Sequence, residues 1–391
     1  MTARSFPIGA AATLEELDRA PHPLHARLRT AEPVSWLPAL DGWLVTSREL
    51  ALDAMRDAET FTVDDPRFST GQVVGPSMLT LDGDEHARHR GPFARPFRLA
   101  PVRERFTAVV AEETERLLDG LEPTGRAELR RGLAGPLAAR IVTVALGLPD
   151  EDTDAVLGWY DRIVAAVTEV TEGGPVPASG RDAFAALRAS VEPALDRDPE
   201  SSLVAAAASD AGGLGRDEVI SNVAVLMFGG IETTEGMIAN ALLHLLVNPE
   251  ERAAVESDRS LLPNAIEESL RLEPAAAVID RYATRDAELG GARIGRGDLV
   301  RLSIAGANRD PAVFQDPDRF DVRRENARLQ IAFAHGPHVC LGMHLARLEA
   351  HTAVGRVLDR LPGLRLDPER PPPAPRGLVF RKPPALDVVW D

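Results

Sequence analysis

The sequence predicts a mainly α-helical protein with a minor β part. Three features carry that prediction. Apolar residues recur at helical spacing over most of the 391 residues. One segment, Asp217 to Val247, stays apolar on every helical face, as a helix running through a core would. Only two short stretches, Val34 to Thr46 and Ala287 to Ile304, change to strand-like runs around glycine turns.

In chain order, Leu14 to Leu28 reads as an amphipathic helix. Val34 to Leu37 and Trp43 to Thr46 flank a turn at Asp41-Gly42 and read as a hairpin. Helical stretches follow at Glu85 to Arg90, Val102 to Leu118, Ala134 to Leu146, Asp152 to Val170 and Arg181 to Leu195. The long segment would span about 46 Å at 1.5 Å per residue. Asp217 is its expected N-cap, and Asn248-Pro249 ends it. Pro263 to Leu272 starts the next helix with Pro in a permitted first-turn position. Gly290-Gly291 and Gly295 punctuate hairpins between Ala287 and Ile304, and a last helix starts near Cys340. No internal repeat or long linker interrupts the pattern, so residues 1–391 are expected to form a single domain.

Composition excludes several functions. Sixty acidic against 44 basic residues leave a net charge of -16, which opposes nucleic-acid binding. Only one of the basic residues is a lysine, Lys382. The single cysteine, Cys340, excludes an intrachain disulfide, a multi-cysteine zinc site and an iron–sulfur cluster. The N-terminal stretch has no apolar run long enough for a signal peptide, and no segment approaches the roughly 20 residues needed to span a bilayer. A soluble, cytoplasmic protein is expected.

Two places break local rules. Mid-helix, Gly229-Gly230-Ile231-Glu232-Thr233-Thr234 puts two glycines, a carboxylate and two hydroxyls in a buried setting. The glycines alone cost about 2 kcal/mol of helix propensity. Glycine permits close approach of a flat ligand, and Glu232 beside Thr233 could relay protons. The alternative is a purely structural helix whose threonines bond back to the preceding turn. The other place is Cys340, at the end of a turn-rich loop and the start of a helix, where free N–H groups favour a thiolate. That thiolate could ligate the iron of a flat macrocycle. The alternatives are a buried structural cysteine, or a nucleophile assisted by His338.

Phe333-x-x-Gly336-x-x-x-Cys340-x-Gly342 resembles the haem-binding signature of the cytochrome P-450 family, with Ala334 where that family usually has glycine. Given the cysteine, chance agreement at the other three positions is about 2 in 10,000. Other matches follow the family order. Gly229-Gly230-x-Glu232-Thr233-Thr234 resembles its oxygen-activating turn. Glu268-x-x-Arg271 resembles the pair that buttresses the haem loop. Asp316-Pro317-Asp318-Arg319-Phe320 resembles the segment that completes that network, with Arg319 as the expected contact. Asp82 to Arg90 resembles the haem-propionate helix, with His86 and Arg90 on one face, and Arg281 resembles a further propionate ligand.

The resemblance implies the family's fold, a triangular helical domain around a buried haem with small β-sheets. It implies a haem-thiolate monooxygenase holding haem b (iron protoporphyrin IX), with Cys340 as the metal ligand. Phe333, His338, Gly342, Gly229, Gly230, His86, Arg90 and Arg281 would surround the cofactor. Thr233 would hydrogen-bond dioxygen and Glu232 would feed protons inward. Electrons would come from a ferredoxin or flavodoxin and its reductase. Six arginines (88, 90, 95, 98, 103 and 105) against Glu104 alone make this stretch basic. Arg90 would pair with a propionate, and the remaining arginines could form a docking face for such an acidic donor or, as the alternative, a solvated basic helix face. The substrate would be a lipophilic small molecule of bacterial secondary metabolism, hydroxylated by a monomeric enzyme. Its pocket would be roofed by residues 61–81, 157–187 and 275–279. A haem-thiolate protein that only binds or senses a ligand is the alternative; the proton-relay pair argues against it. A non-haem Cys/His hydrolase is a third reading, which a colourless protein would favour.

Overall fold

The computed structural model of the chain describes residues 6–148, 152–199, 202–209 and 213–391. The fold is mainly α with small sheets, as the sequence predicts, and it is organised around the helix Arg216–Val247. That helix runs unbroken through its glycine pair, with Val219, Val223, Ala224, Ile231 and Ile238 all fully buried. A helix buried on all sides needs partners on all sides. They are Gly135–Leu146, Thr153–Thr171, Leu262–Leu272 and Met343–Arg360, which all pack against it. The N-cap is Gly215 rather than Asp217: the helix begins two residues early, and Glu218 turns back to accept from the Gly215 N–H at 2.7 Å.

The other helices match the reading within a few residues, with one exception. Leu14 to Leu28 is two helices, Leu14–Arg19 and Pro21–Ala31. Pro21 has no N–H to continue the first helix, but it suits the first turn of the second. The last helix, Met343–Arg360, starts three residues after Cys340, so the cysteine lies in the loop before it.

The largest sheet has five strands in the spatial order Val34–Leu37, Gly42–Val45, Leu299–Ser303, Val278–Ala283, Phe61–Thr62. The first two form the expected hairpin, with Trp36 opposite Trp43. Ala287–Leu289 and Ala292–Ile294 also form a hairpin, turning at Gly290-Gly291 with both φ values positive. Leu299–Ser303 leaves that hairpin for the large sheet, parallel to Gly42–Val45 and antiparallel to Val278–Ala283. The last pairing puts Asp280 opposite Arg301 and Arg281 opposite Val300. Among the described residues no helix is long and apolar enough to cross a membrane.

Candidate active site

The loop carrying Cys340 is held by its own backbone and by the helix Leu262–Leu272. The Cys340 N–H donates to the Phe333 carbonyl at 2.8 Å, closing the loop. Gly336 has φ +76, and a Cβ there would lie 2.6 Å from the Met55 carbonyl oxygen, so only glycine fits. Glu267 ties the two ends together: its carboxylate accepts from Gln330 Nε2 at 3.0 Å and from Arg347 Nε at 2.5 Å. Arg347 in turn lies over the Phe333 ring, 4.4 Å from its centroid. Burial pushes the Cys340 thiol pKa up, against the opposing pull of the Gly342 and Met343 N–H groups and of Arg90. The helix start therefore does not by itself give a thiolate. A bound metal cation would supply the missing stabilisation.

Cys340 borders a cavity of about 320 Å³. Of the eleven residues expected in the site, nine line it: Arg90, Gly229, Gly230, Thr233, Arg281, Phe333, His338, Cys340 and Gly342. The two mid-helix glycines act differently. A Cβ on Gly229 would meet nothing within 4 Å, whereas one on Gly230 would sit 2.9 Å from Val142 Cγ2. Gly229 widens the cavity and Gly230 lets two helices approach. Thr233 lines the cavity, and its Oγ1 donates to the Gly229 carbonyl at 2.6 Å, the back-bond expected of a structural helix.

Polar groups on one side of the cavity suit a dianion. Arg281 is 4% exposed, and among the described residues its guanidinium hydrogen-bonds only the Asp280 carbonyl. Burial lowers its pKa to about 10. Arg90 Nη2 donates to the Val339 carbonyl at 2.6 Å. His338 bonds Asp82 at 2.7 Å rather than Cys340, which removes the support for a His-assisted nucleophile. His86 does not line the cavity but stands behind His338, their ring centroids 4.3 Å apart. Its Nε2 is buried without a partner, and burial lowers its pKa to about 4. A buried guanidinium without a carboxylate and an orphaned imidazole nitrogen fit a cofactor that brings two carboxylates.

The family model for cytochrome P450 matches residues 186–388. The chain is 34% identical to the cytochrome P450 monooxygenase PikC of Streptomyces venezuelae, over 95% of this chain and 91% of that one. The chain belongs to the cytochrome P450 family. It is also 35% identical to nocardicin C N-oxygenase of Nocardia uniformis subsp. tsuyamanensis, covering 99% of this chain and 98% of that one. A myxobacterial cytochrome P450, CYP267B1, solved in complex with myristic acid, superposes with a TM-score of 0.84 at 30% identity, covering 95% and 96% of the two chains. The protein is a P450 monooxygenase of the haem-thiolate type that binds haem b, uses dioxygen and redox partners, and acts on small molecules. The reading as a non-catalytic sensor is not favoured.

Two expectations for this P450 need correction, those for Arg319 and for the pocket roof. Glu232, expected to feed protons inward, stands apart from the main cavity. It is 2% exposed, accepts from Tyr160 and from Lys382 Nζ at 2.8 Å, and borders a second cavity of about 140 Å³. Arg319 is not the third member of the Glu268–Arg271 network, since its side chain reaches Glu251 at 3.6 Å and is largely exposed. Arg324 takes that place, with Nε 2.9 Å from Glu268, while Arg319 offers only its carbonyl to Arg271. The pocket roof uses Val167 and Thr171 from the 157–187 stretch but no residue of the helix Ala178–Val191, and it gains Val379 and Phe380 near the C-terminus.

Sequence reading misses Glu267, Lys382, Tyr160 and Glu349. Glu349 is 4% exposed and lines the main cavity; its Oε2 has no partner, and burial raises its pKa well above the usual range. A signal is available there: Leu345, Glu349 and Ala353 lie four apart on the buried stripe of one helix.

Proposed function

We propose that this P450 hydroxylates an uncharged lipophilic metabolite in the main cavity. Cys340 ligates the haem iron through sulfur. Arg90, Arg281 and His86 receive the propionates, and His338 fixes that edge through Asp82. When bound, haem supplies a thiolate-ligated iron at which dioxygen is activated. Thr233 holds a proton at Oγ1 beside Gly229, where the absence of a Cβ leaves space. Glu232 supplies protons from behind the helix. The substrate is held by Val63, Phe68, Val167, Ile279 and Phe380, an apolar wall that excludes water. The observation that carries this reading is one apolar cavity bounded by Cys340 on one side and Gly229 with Thr233 on the other.

The exposed arginines 95, 98, 103 and 105 form the docking face for a ferredoxin or flavodoxin, and the enzyme works in the cytoplasm as a monomer of one domain. Thr233→Ala is expected to leave the fold intact and divert consumed electrons to peroxide. Full product yield per electron in that variant would contradict the role given to Thr233.

A further inference from the structure

Glu232 and Thr233 are neighbours in sequence but face different spaces. Thr233 lines the main cavity, whereas Glu232 borders the smaller one with Asp18, Thr168, Glu172 and Gly377. Glu172 is exposed, so the side cavity reaches the surface there. Thr171, Val379 and Phe380 line both cavities and form the wall between them.

The chain's only lysine, Lys382, pairs with Glu232 beside the smaller cavity. Lys382 Nζ is 2.8 Å from Glu232 and 2.5 Å from Glu235, and it donates to Tyr160 at 2.9 Å. Arg130 and Arg131 approach Glu235 at 3.5 and 3.6 Å, so among the described residues Lys382 is the only cation paired with Glu232. The lysine has a fixed base. Its backbone pairs with Arg376, and the Arg381 N–H donates to the Ala275 carbonyl at 2.8 Å. Its stem passes over Gly236 of the central helix, where a Cβ would lie 3.6 Å from Lys382 Cβ and 2.8 Å from Ala275 Cβ.

We propose that Lys382 is a positioning residue that holds Glu232 on the wall of the side cavity, making that cavity the proton inlet of this enzyme. An excess proton from bulk solvent, relayed through water in the inlet, goes to the Glu232 carboxylate, which passes it toward Thr233 and so becomes a carboxylate again, leaving the relaying water neutral. The inlet lets protons reach the reaction without wetting the apolar cavity. This inference rests on the proton-donating role proposed for Glu232.

The test uses the haem-loaded enzyme with a surrogate ferredoxin and reductase and 7-ethoxycoumarin as the probe. Lys382→Met, and Thr168→Leu, which fills the inlet alone, are each expected to slow oxygen-dependent electron consumption about ten-fold. Both should raise the solvent deuterium isotope effect, and Lys382→Arg should restore most of the rate. A crystal structure of the wild type should show ordered water in the side cavity touching Glu232. If Glu232→Gln is slow while Lys382→Met and Thr168→Leu keep the wild-type rate, or if the side cavity is dry, the inference is overturned and the role of Glu232 stands. A wild-type rate in Glu232→Gln removes the underlying reading as well.

Discussion

Ala334 has φ +58, a conformation that costs a residue with a Cβ about 1–2 kcal/mol. It stands one residue after Phe333, in the loop that leads to Cys340. Replacing it with glycine removes the strain but adds unfolded-state entropy worth about 0.5–1 kcal/mol. Ala334→Gly is therefore expected to stabilise the enzyme by up to about 1.5 kcal/mol, seen as a rise in the thermal midpoint. A fall would mean that the methyl's packing outweighs the strain. At this scale the sequence is most informative where chemistry is local. Cys340, Phe333 and Gly336 declare themselves within ten residues. Glu232 does not reveal its partner, because Lys382 lies 150 positions away and a salt bridge leaves no periodic trace.

Between elements, the Glu268 network joins the helix Leu262–Leu272 to the segment before the cysteine loop. Glu268 and Arg271 are both fully buried, and Arg271 also donates to the carbonyls of Asn308, Pro317 and Arg319. Glu268→Gln leaves two buried guanidinium groups, Arg271 and Arg324, short of a counter-charge. The expected cost is about 3–5 kcal/mol, with loss of haem on mild denaturation; denaturant titration monitored at the haem absorbance checks it. Helix existence is readable from periodicity, but helix ends are not. Gly215 caps the central helix in place of Asp217 because Glu218 can satisfy the free N–H from inside the helix. The break at Pro21 is readable in principle, since proline cannot continue a helix, but the apolar pattern runs across it.

Over the whole molecule, buried histidines set the acid response. Burial lowers the His244 pKa from 6.5 to about 4, and His25 is lowered well below 6.5 by burial and its cationic neighbours. Below about pH 6.5 the unfolded chain binds protons that these sites refuse, so stability falls as pH drops toward 4. Glu273 adds a second loss. Burial raises its pKa, but His22 and Arg381 outweigh that and hold it at about 2, so its contribution disappears between about pH 4.5 and 2. His244→Asn should flatten the limb between pH 6.5 and 4 in a series of thermal midpoints; an unchanged limb would contradict the assignment. The sheet order is not readable from the sequence, because Gly42–Val45 pairs with a strand more than 250 residues later. The helical class is, because the largest of the three apolar clusters is built mostly of helix packed on helix.

The central claim is that Cys340 sulfur ligates the haem iron, and the ferrous–CO spectrum tests it most directly. The wild type should show the long-wavelength band of a thiolate-ligated haem, and Cys340→Ala should lose it. Retention of that band by Cys340→Ala, or its absence from the folded, haem-loaded wild type, would contradict the account.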